Sequence, residues 1–407
     1  MRLLAAALVP PAPVWNTPET DLVTIRLDLK TMTPVFGGGH TAREVDPVQA
    51  VRPSAIRGQL RYWWRATAGA RFASTSDLYK EESRIFGNTD KAGVVRVRVP
   101  RISAGRPQDY DKKWGAKLSA NESPGERIFV FPFQPIRGET RASTFFDSLE
   151  FTLEVQLSRC HQVEITNAIK AWLVFGGVGA RTRRGCGALA LTDPAQTQSF
   201  MPPSPGSPEY HTWFANLVGT GINVKPAWAR LLGTGIVIGH PNPQDRKNPY
   251  EVWRSLGKFW CNVRKNHFPV TDFKPTDATK WADELNLRLL RPQDTEIVMG
   301  KHLLGLPIIY QGMNGSFRGD VTSAQGGRAA SPVILKPVQL ATGDVAPLVA
   351  LLHTPFLLET SVQVNKRLLR VKLPGEHTAN LALKNAASKR NGFDSPIHII
   401  KRVTSND

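Results

Sequence analysis

Between residues 23 and 192 the spacing of apolar residues switches back and forth between about 2 and about 3.6, the strand and helix repeats. Val23, Ile25, Leu27 and Leu29 alternate with polar neighbours, which predicts a strand over 23–32. Ile56, Leu60, Trp63, Trp64 and Thr67 recur at helical spacing. Pro53 opens that helix, Ser54 is its expected N-cap and Gly69 its expected stop. Val95, Val97 and Val99 alternate with Arg96 and Arg98, giving a strand over 94–99. Residues 128–133 read as a further short strand, and Phe151, Leu153, Val155 and Leu157 as a longer one. Ile165, Ala168, Ile169, Trp172 and Leu173 predict a helix over 164–175. A glycine-rich loop over 176–187 and a short strand over 188–191 follow.

The resulting order, strand–helix–strand–strand–helix–strand with an insertion near 100–150, is the split βαβ or ferredoxin-like arrangement. Four prolines between Met201 and Pro208 predict a linker. The expected fold class is therefore α+β, with a first domain over 15–200 and a second over 209–407. Both are expected to be ferredoxin-like, in tandem, with insertions. In the second, a helix is predicted over 249–267 and strands over 331–340, 361–373 and 397–403. No period of 20–50 residues recurs, which excludes a solenoid.

Charge narrows the function. Lys and Arg total 52 against 34 Asp and Glu, a formal net charge of +18, and the pI is near 10.1. A chain this basic attracts polyanions, nucleic acid first among them. The three cysteines, Cys160, Cys186 and Cys261, have neither finger nor disulfide-framework spacing, which suggests a reducing cytoplasm. The apolar start over residues 3–9 is cut short by Pro10, Pro11 and Pro13, against a secretory leader. No run is long and apolar enough to span a bilayer, so no membrane partner is expected.

Arg57, Arg61 and Arg65 lie at i, i+4 and i+8, one stripe of a helix. No acidic residue stands between positions 47 and 76, so the stripe calls for an anion from elsewhere, and phosphate suits arginine's paired donors. The loop from Phe175 to Gly187 adds Arg181, Arg183 and Arg184 to glycines that let backbone approach a ligand closely. It follows a helix and leads into a strand, the reverse of a P-loop or dinucleotide fingerprint. A third basic glycine loop, Gly37 to Arg43, includes His40, and residues 325–328 repeat the theme.

Catalysis has little support in the residues. The nine histidines are scattered, and neither acidic pairs for magnesium nor a nucleophile–base arrangement can be read from the order. No metal or cofactor is expected. A metal-free ribonuclease could use a single histidine, for which His40 is the candidate.

The strings Phe36-Gly-Gly-Gly-His, Glu44-Val-Asp-Pro-Val, Ile56-Arg-Gly-Gln-Leu-Arg-Tyr-Trp-Trp-Arg65 and Ile85-Phe-Gly-Asn88 resemble those of RAMP-superfamily CRISPR proteins. More narrowly, the chain resembles the first RAMP subunits of type III-B (Cmr) effector complexes. The glycine loop matches that family's hallmark loop in position and composition. Leu304-Gly-Leu-Pro-Ile308 and Arg328-Ala-Ala-Ser-Pro-Val333 look like its second-half motifs. The resemblance is dense in the first domain and patchy in the second, and this chain is longer than such relatives.

The resemblance implies two ferredoxin-like domains and a non-catalytic subunit near the 3′ end of a guide RNA. Its partners would be guide RNA, single-stranded target RNA and the other subunits of the complex. By the same analogy Ile56, Arg57, Arg61, Trp64 and Arg65 line the RNA-facing cleft. With the loop residues and Arg52, the full expected contact set is Gly38, Gly39, His40, Arg43, Arg52, Ile56, Arg57, Arg61, Trp64, Arg65, Gly177, Gly179, Arg181, Arg183 and Arg184. Two other readings are a metal-independent endoribonuclease that trims guide precursors and a purely architectural subunit.

Overall fold

The computed structural model describes residues 21–115, 125–135, 143–218, 227–265, 283–311, 318–325, 327–355, 361–372 and 398–399. In the first half the elements are β1 (Leu22–Thr31), β2 (Val35–Phe36), α1 (Pro53–Ala66), α2 (Thr75–Phe86), β3 (Arg96–Ala104), β4 (Gln108–Asp109), α3 (Tyr110–Trp114) and α4 (Arg127–Val130). They continue with β5 (Thr144–Phe146), β6 (Leu149–Ser158), α5 (Gln162–Phe175), β7 (Leu189–Leu191), α6 (Pro194–Phe200) and α7 (Glu209–Val218). The main sheet runs β3-β6-β1-β7, antiparallel throughout, which is the split βαβ order. Alternation in β1 and β6 sends Leu27, Leu29, Leu153 and Val155 to one face, where they pack with Ile56 and Leu60 of α1 and Ile169 and Trp172 of α5.

The second half comprises β8 (Arg230–Ile238), α8 (Pro249–Lys265), α9 (Asp283–Arg288), β9 (Glu296–Val298), β10 (Ile308–Gln311), β11 (Arg318–Ser323) and β12 (Val333–Gln339). It ends with β13 (Val345–His353), β14 (Ser361–Val364), β15 (Arg367–Lys372) and β16 (His398–Ile399). One sheet runs β12-β13-β8-β16, the same spatial order as the first, with β8 in the place of β1. Both of its faces are covered. Ile334, Val338, Leu348 and Ala350 join the core around α1 and α5, while Val333, Leu335, Val349 and Leu351 face α8 with Trp253 and Trp260. Helices α1 and α5 are therefore held between two sheets, and every residue of β12 is buried. A five-stranded sheet, β10-β11-β14-β15-β9, has a small core of its own, and β2, β5 and β4 form a third, short sheet.

Several expectations change in detail. Arg52, not Ser54, is the N-cap of α1, because Pro53 occupies the first helical turn. The helix stops at Ala66, and Gly69 lies in the 3-10 turn that follows. Residues 128–133 are helical turns rather than a strand, a short aromatic run that periodicity alone cannot classify. The predicted strand over 361–373 is a hairpin, β14 and β15, turned by Asn365 and Lys366 in the left-handed region. The prolines of 201–208 connect α6 to α7 with Met201 buried, and Ala341 N donates to Pro202 O at 2.8 Å. That segment is packed against the second half instead of hanging free. The apolar start, Gly326, His267 and the tail apart from 398–399 lie outside the described residues. No helix among the described residues is long and apolar enough to cross a membrane.

Candidate nucleic-acid interface

The two glycine loops of the first half meet. Ala180 N donates to Phe36 O at 2.7 Å, and Gly187 N to Pro34 O at 2.9 Å. The contact demands glycine at 179: its φ is +79°, and a Cβ there would stand 2.5 Å from Phe36 O. Gly177 is buried, with its Cβ position 2.6 Å from Gly187 O, so it serves packing. Gly38 is exposed, with φ +99° and nothing within 4 Å of its Cβ position. Gly39 N donates to Glu44 O at 3.0 Å and closes the turn that carries His40, which is exposed. Arg43 adopts φ 70°, and its Nη1 lies 3.5 Å from Gln134 O.

The second-half motifs converge on the same place. Leu306 and Ala329 exchange backbone bonds of 3.0 and 3.2 Å, bringing the two motifs into register. Gly305 leaves only 2.9 Å between its Cβ position and Ser331 Cα. Ser331 then receives the glycine loop: its O accepts from Arg183 Nη1 at 2.6 Å and its Oγ from Arg184 Nη2 at 2.8 Å. Arg184 Nη1 also donates to Val333 O at 2.6 Å, and its guanidinium lies over Trp260 at 4.5 Å. Arg183 Nη2 donates to Tyr62 Oη at 3.1 Å.

None of Arg181, Arg183 and Arg184 makes an ion pair among the described residues, and Arg264 of α8 stands close to Arg181 and Arg184. Burial, aided by Arg181, Arg264 and Arg183, pushes Arg184 down to about 9, so it stays charged at neutral pH. Burial and Arg264 also lower Arg181, whose Nε is buried with no hydrogen-bond partner among the described residues. Guanidiniums gathered without a carboxylate make a site that an anion would relieve.

The arginine stripe of α1 has a different fate. Arg61 Nε bonds Glu82 Oε1 at 2.7 Å, and Arg65 Nη1 lies 3.8 Å from the same oxygen. Arg57 Nη2 donates to Phe86 O, at the C-terminal end of α2, where a cation suits the helix dipole. Glu82 of α2 thus supplies a carboxylate to Arg61 and Arg65, from outside the acid-free stretch 47–76, while Arg57 meets only a carbonyl. Replacing Glu82 by Gln is expected to destabilise the protein by about 2 kcal/mol, because its partners are only partly buried. Urea unfolding checks this; a loss below about 0.5 kcal/mol would mean that water already screens the arginines.

Two expected contacts are core residues. Ile56 is 1% and Trp64 0% exposed, and Trp64 Nε1 is used by Glu164 Oε2 at 2.8 Å, so neither has a face left for a ligand. Arg52 pairs with Asp46 at 2.9 Å. Hydrogen bonds from Gln49 N, Arg52 and Val48 N hold that carboxyl at about 2. The contact of Phe36 and Gly37 with Gly179 and Ala180 makes a seam between the two loops. Gly38, Gly39, His40 and Arg43 follow it along one loop and Arg181 along the other, with Arg183 and Arg184 bonded to the second half. Glu82 and Lys336 escaped the sequence reading. Ser74-x-x-Asp77, a capping pattern realised here by Asp77 N donating to Ser74 Oγ at 3.1 Å, could have revealed α2. No group of three or more His, Cys, Asp or Glu among the described residues could hold a metal ion.

The RAMP superfamily description matches residues 28–190, from β1 to β7. The CRISPR system Cmr subunit Cmr1-2 of Pyrococcus furiosus is 29% identical over 178 residues, 40% of this chain and 92% of that protein. Cmr1-1 of the same organism is 27% identical over 146 residues, 35% of this chain and 40% of that protein. The crystal structure of apo Cmr1 from Pyrococcus furiosus aligns with TM-score 0.50 at 17% identity, covering 82% of this chain and 88% of that one, a likeness of fold. The glycine loops and the arginine helix lie inside the matched segment: residues 28–190 carry the RAMP superfamily match, and this chain is homologous to the Cmr1 subunits of Pyrococcus furiosus.

Proposed function

We propose that this chain is a non-catalytic, RNA-binding subunit of a type III-B CRISPR effector, the Cmr complex, working in the cytoplasm. In this reading it holds guide and target RNA near the 3′ end of the guide, beside other subunits of the complex. Homology to Cmr1 subunits supports the assignment to the complex. The observation that carries RNA binding is the convergence of the two first-half glycine loops and both second-half motifs around Arg181, Arg183 and Arg184, with no carboxylate paired to them. A polyanion threading the seam would meet the exposed Gly38 and Gly179 backbone, the half-buried turn at Gly39, His40, Arg43 and Arg181. In the same reading the chain is two tandem ferredoxin-like domains, supported by the matching strand orders of the two four-stranded sheets.

The test uses purified protein, end-labelled single-stranded RNA and EDTA, with native and denaturing gels run from the same tube. The expected result is a shifted, intact RNA. Arg181→Ala should lower affinity for all sequences alike and reduce the salt slope of log K by about 0.7, the value for one phosphate contact on a single strand. Cleavage in EDTA that His40→Ala abolishes would replace this reading with the endoribonuclease. An RNA that never shifts would overturn RNA binding by the isolated subunit.

A further inference from the structure

The face of the first sheet turned away from α1 and α5 carries a second basic feature. On β3, Val97, Val99 and Ile102 pack toward the core, while Arg96, Arg98 and Arg101 are exposed. Strict alternation would send Arg101 to the same side as Val97 and Val99, and Ile102 to solvent. A β-bulge prevents this. Arg98 pairs with Glu154 and Arg101 with Thr152, so three steps along β3 match two along β6. The bulge at Val99 and Pro100 returns Ile102 to the core and places Arg101 in line with Arg96 and Arg98.

The three arginines therefore oppose successive outward positions of β6, namely Gln156, Glu154 and Thr152. That sets them about 6.6 Å apart, twice the rise of a strand residue. The spacing is close to the repeat of an extended polynucleotide backbone. Of the acidic groups nearby, Glu154 bonds Arg26 at 2.9 Å and Asp28 accepts from Thr152 Oγ1 at 2.6 Å, while Glu150 stands one outward position further along β6, opposite Ser103. Arg96, Arg98 and Arg101 make no ion pair among the described residues.

β3 is an edge strand, so an added strand from another protein is the obvious competing occupant. Pro100 lacks an N–H, and the bulge breaks the ladder at the same point, which disfavours strand pairing along this edge. The outward row Thr24, Arg26, Asp28 and Lys30 on β1, with Glu150, Thr152, Glu154 and Gln156 on β6, contains no aromatic ring on which a base could stack. What the face offers is evenly spaced guanidiniums.

We infer that the outer face of β3 is a second, sequence-independent RNA site in which Arg96, Arg98 and Arg101 take successive phosphates of a single strand. The inference rests on the RNA-binding reading above but uses a different face of the protein. The experiment compares R96Q/R98Q/R101Q with the unaltered chain and with Arg181→Ala, on the same single-stranded RNA across a salt series. Three lost contacts should reduce the salt slope of log K by about 2 and the affinity near 0.1 M salt by about a hundredfold. Thermal unfolding should be unchanged, because all three side chains are exposed. Should the triple variant lose stability, the single variant R98Q carries the test, with an expected slope change of about 0.7.

Unchanged slope and affinity in the triple variant, while Arg181→Ala still weakens binding, would overturn this site and leave the seam intact. Absence of RNA binding by the unaltered chain would overturn both. Polyglutamate that competes as well as RNA in an Arg98-dependent manner would mark the face as a dock for acidic protein, against the inference.

Discussion

Replacing Lys336 by methionine is expected to destabilise the protein by about 2–3 kcal/mol and to flatten part of its pH dependence. Lys336 lies in the middle of β12, is wholly buried, and donates from Nζ to Leu173 O at 2.8 Å and Gly176 O at 2.7 Å. Those carbonyls belong to the C-terminal end of α5, where backbone acceptors have no helical partner. Methionine keeps most of the stem's packing but leaves both oxygens buried and unmade, at about 1–3 kcal/mol for each such group. Burial also pushes the Lys336 amine down from 10.5 to about 7. A depressed folded value means that the unfolded chain binds more protons across the interval. The contribution is therefore complete above about 10.5 and is lost as pH falls through about 7. The gap in stability between the unaltered chain and K336M should widen with pH over that window, by at most about 1.4 kcal/mol per unit. Denaturant midpoints at a series of pH values measure it. A constant gap would mean that Lys336 titrates alike in both states.

Arg184→Ala should cost about 3–4 kcal/mol. The side chain makes two charge-assisted bonds to the second half, to Val333 O and Ser331 Oγ, a third and longer one to Arg183 O, and stacks on Trp260. Each such bond contributes about 1.5 kcal/mol or more, and the cation–π contact adds about 1 kcal/mol in a desolvated setting. Arg184 O also accepts from Trp253 Nε1 at 2.8 Å, so the loop backbone is tied to α8 as well. Arg184→Lys should recover less than half of the loss, because an ammonium cannot satisfy two diverging acceptors as a guanidinium does. The expected signature is a lower denaturant midpoint with an unchanged m-value. Loss of RNA binding without loss of stability would instead place Arg184 in the seam rather than behind it.

Both residues show where sequence reading stops. Within 331–340 the strand is legible, yet a lysine at its centre reads as an outward position. Position 336 faces inward because the helices of the first half cover that side of β12. Helix α2 was missed for a related reason. Its inward stripe is Leu78, Glu82, Ile85 and Phe86, and a carboxylate in the second place breaks the apolar pattern. The same Glu82 draws two arginines of the α1 stripe, Arg61 and Arg65, into an ion pair between α1 and α2. Arg101 and Ile102 exchange sides at a bulge that no periodicity predicts, although Pro100 marks the spot.

The sequence by itself determined the strand–helix–strand–strand–helix–strand frame of the first half, the glycine loops, the basic character of the chain and its family resemblance. These follow from short-range properties: apolar period, turn chemistry and summed charge. The tertiary structure decided which arginines are braces and which stand free, why Lys336 is buried, and how four separated motifs meet at Ser331 and Phe36. Those outcomes depend on residues far apart in the chain: 148 and 149 positions separate Arg183 from Ser331 and Arg184 from Val333. The local pattern around a charged side chain carries no record of the counter-charge or carbonyl that folding will set against it.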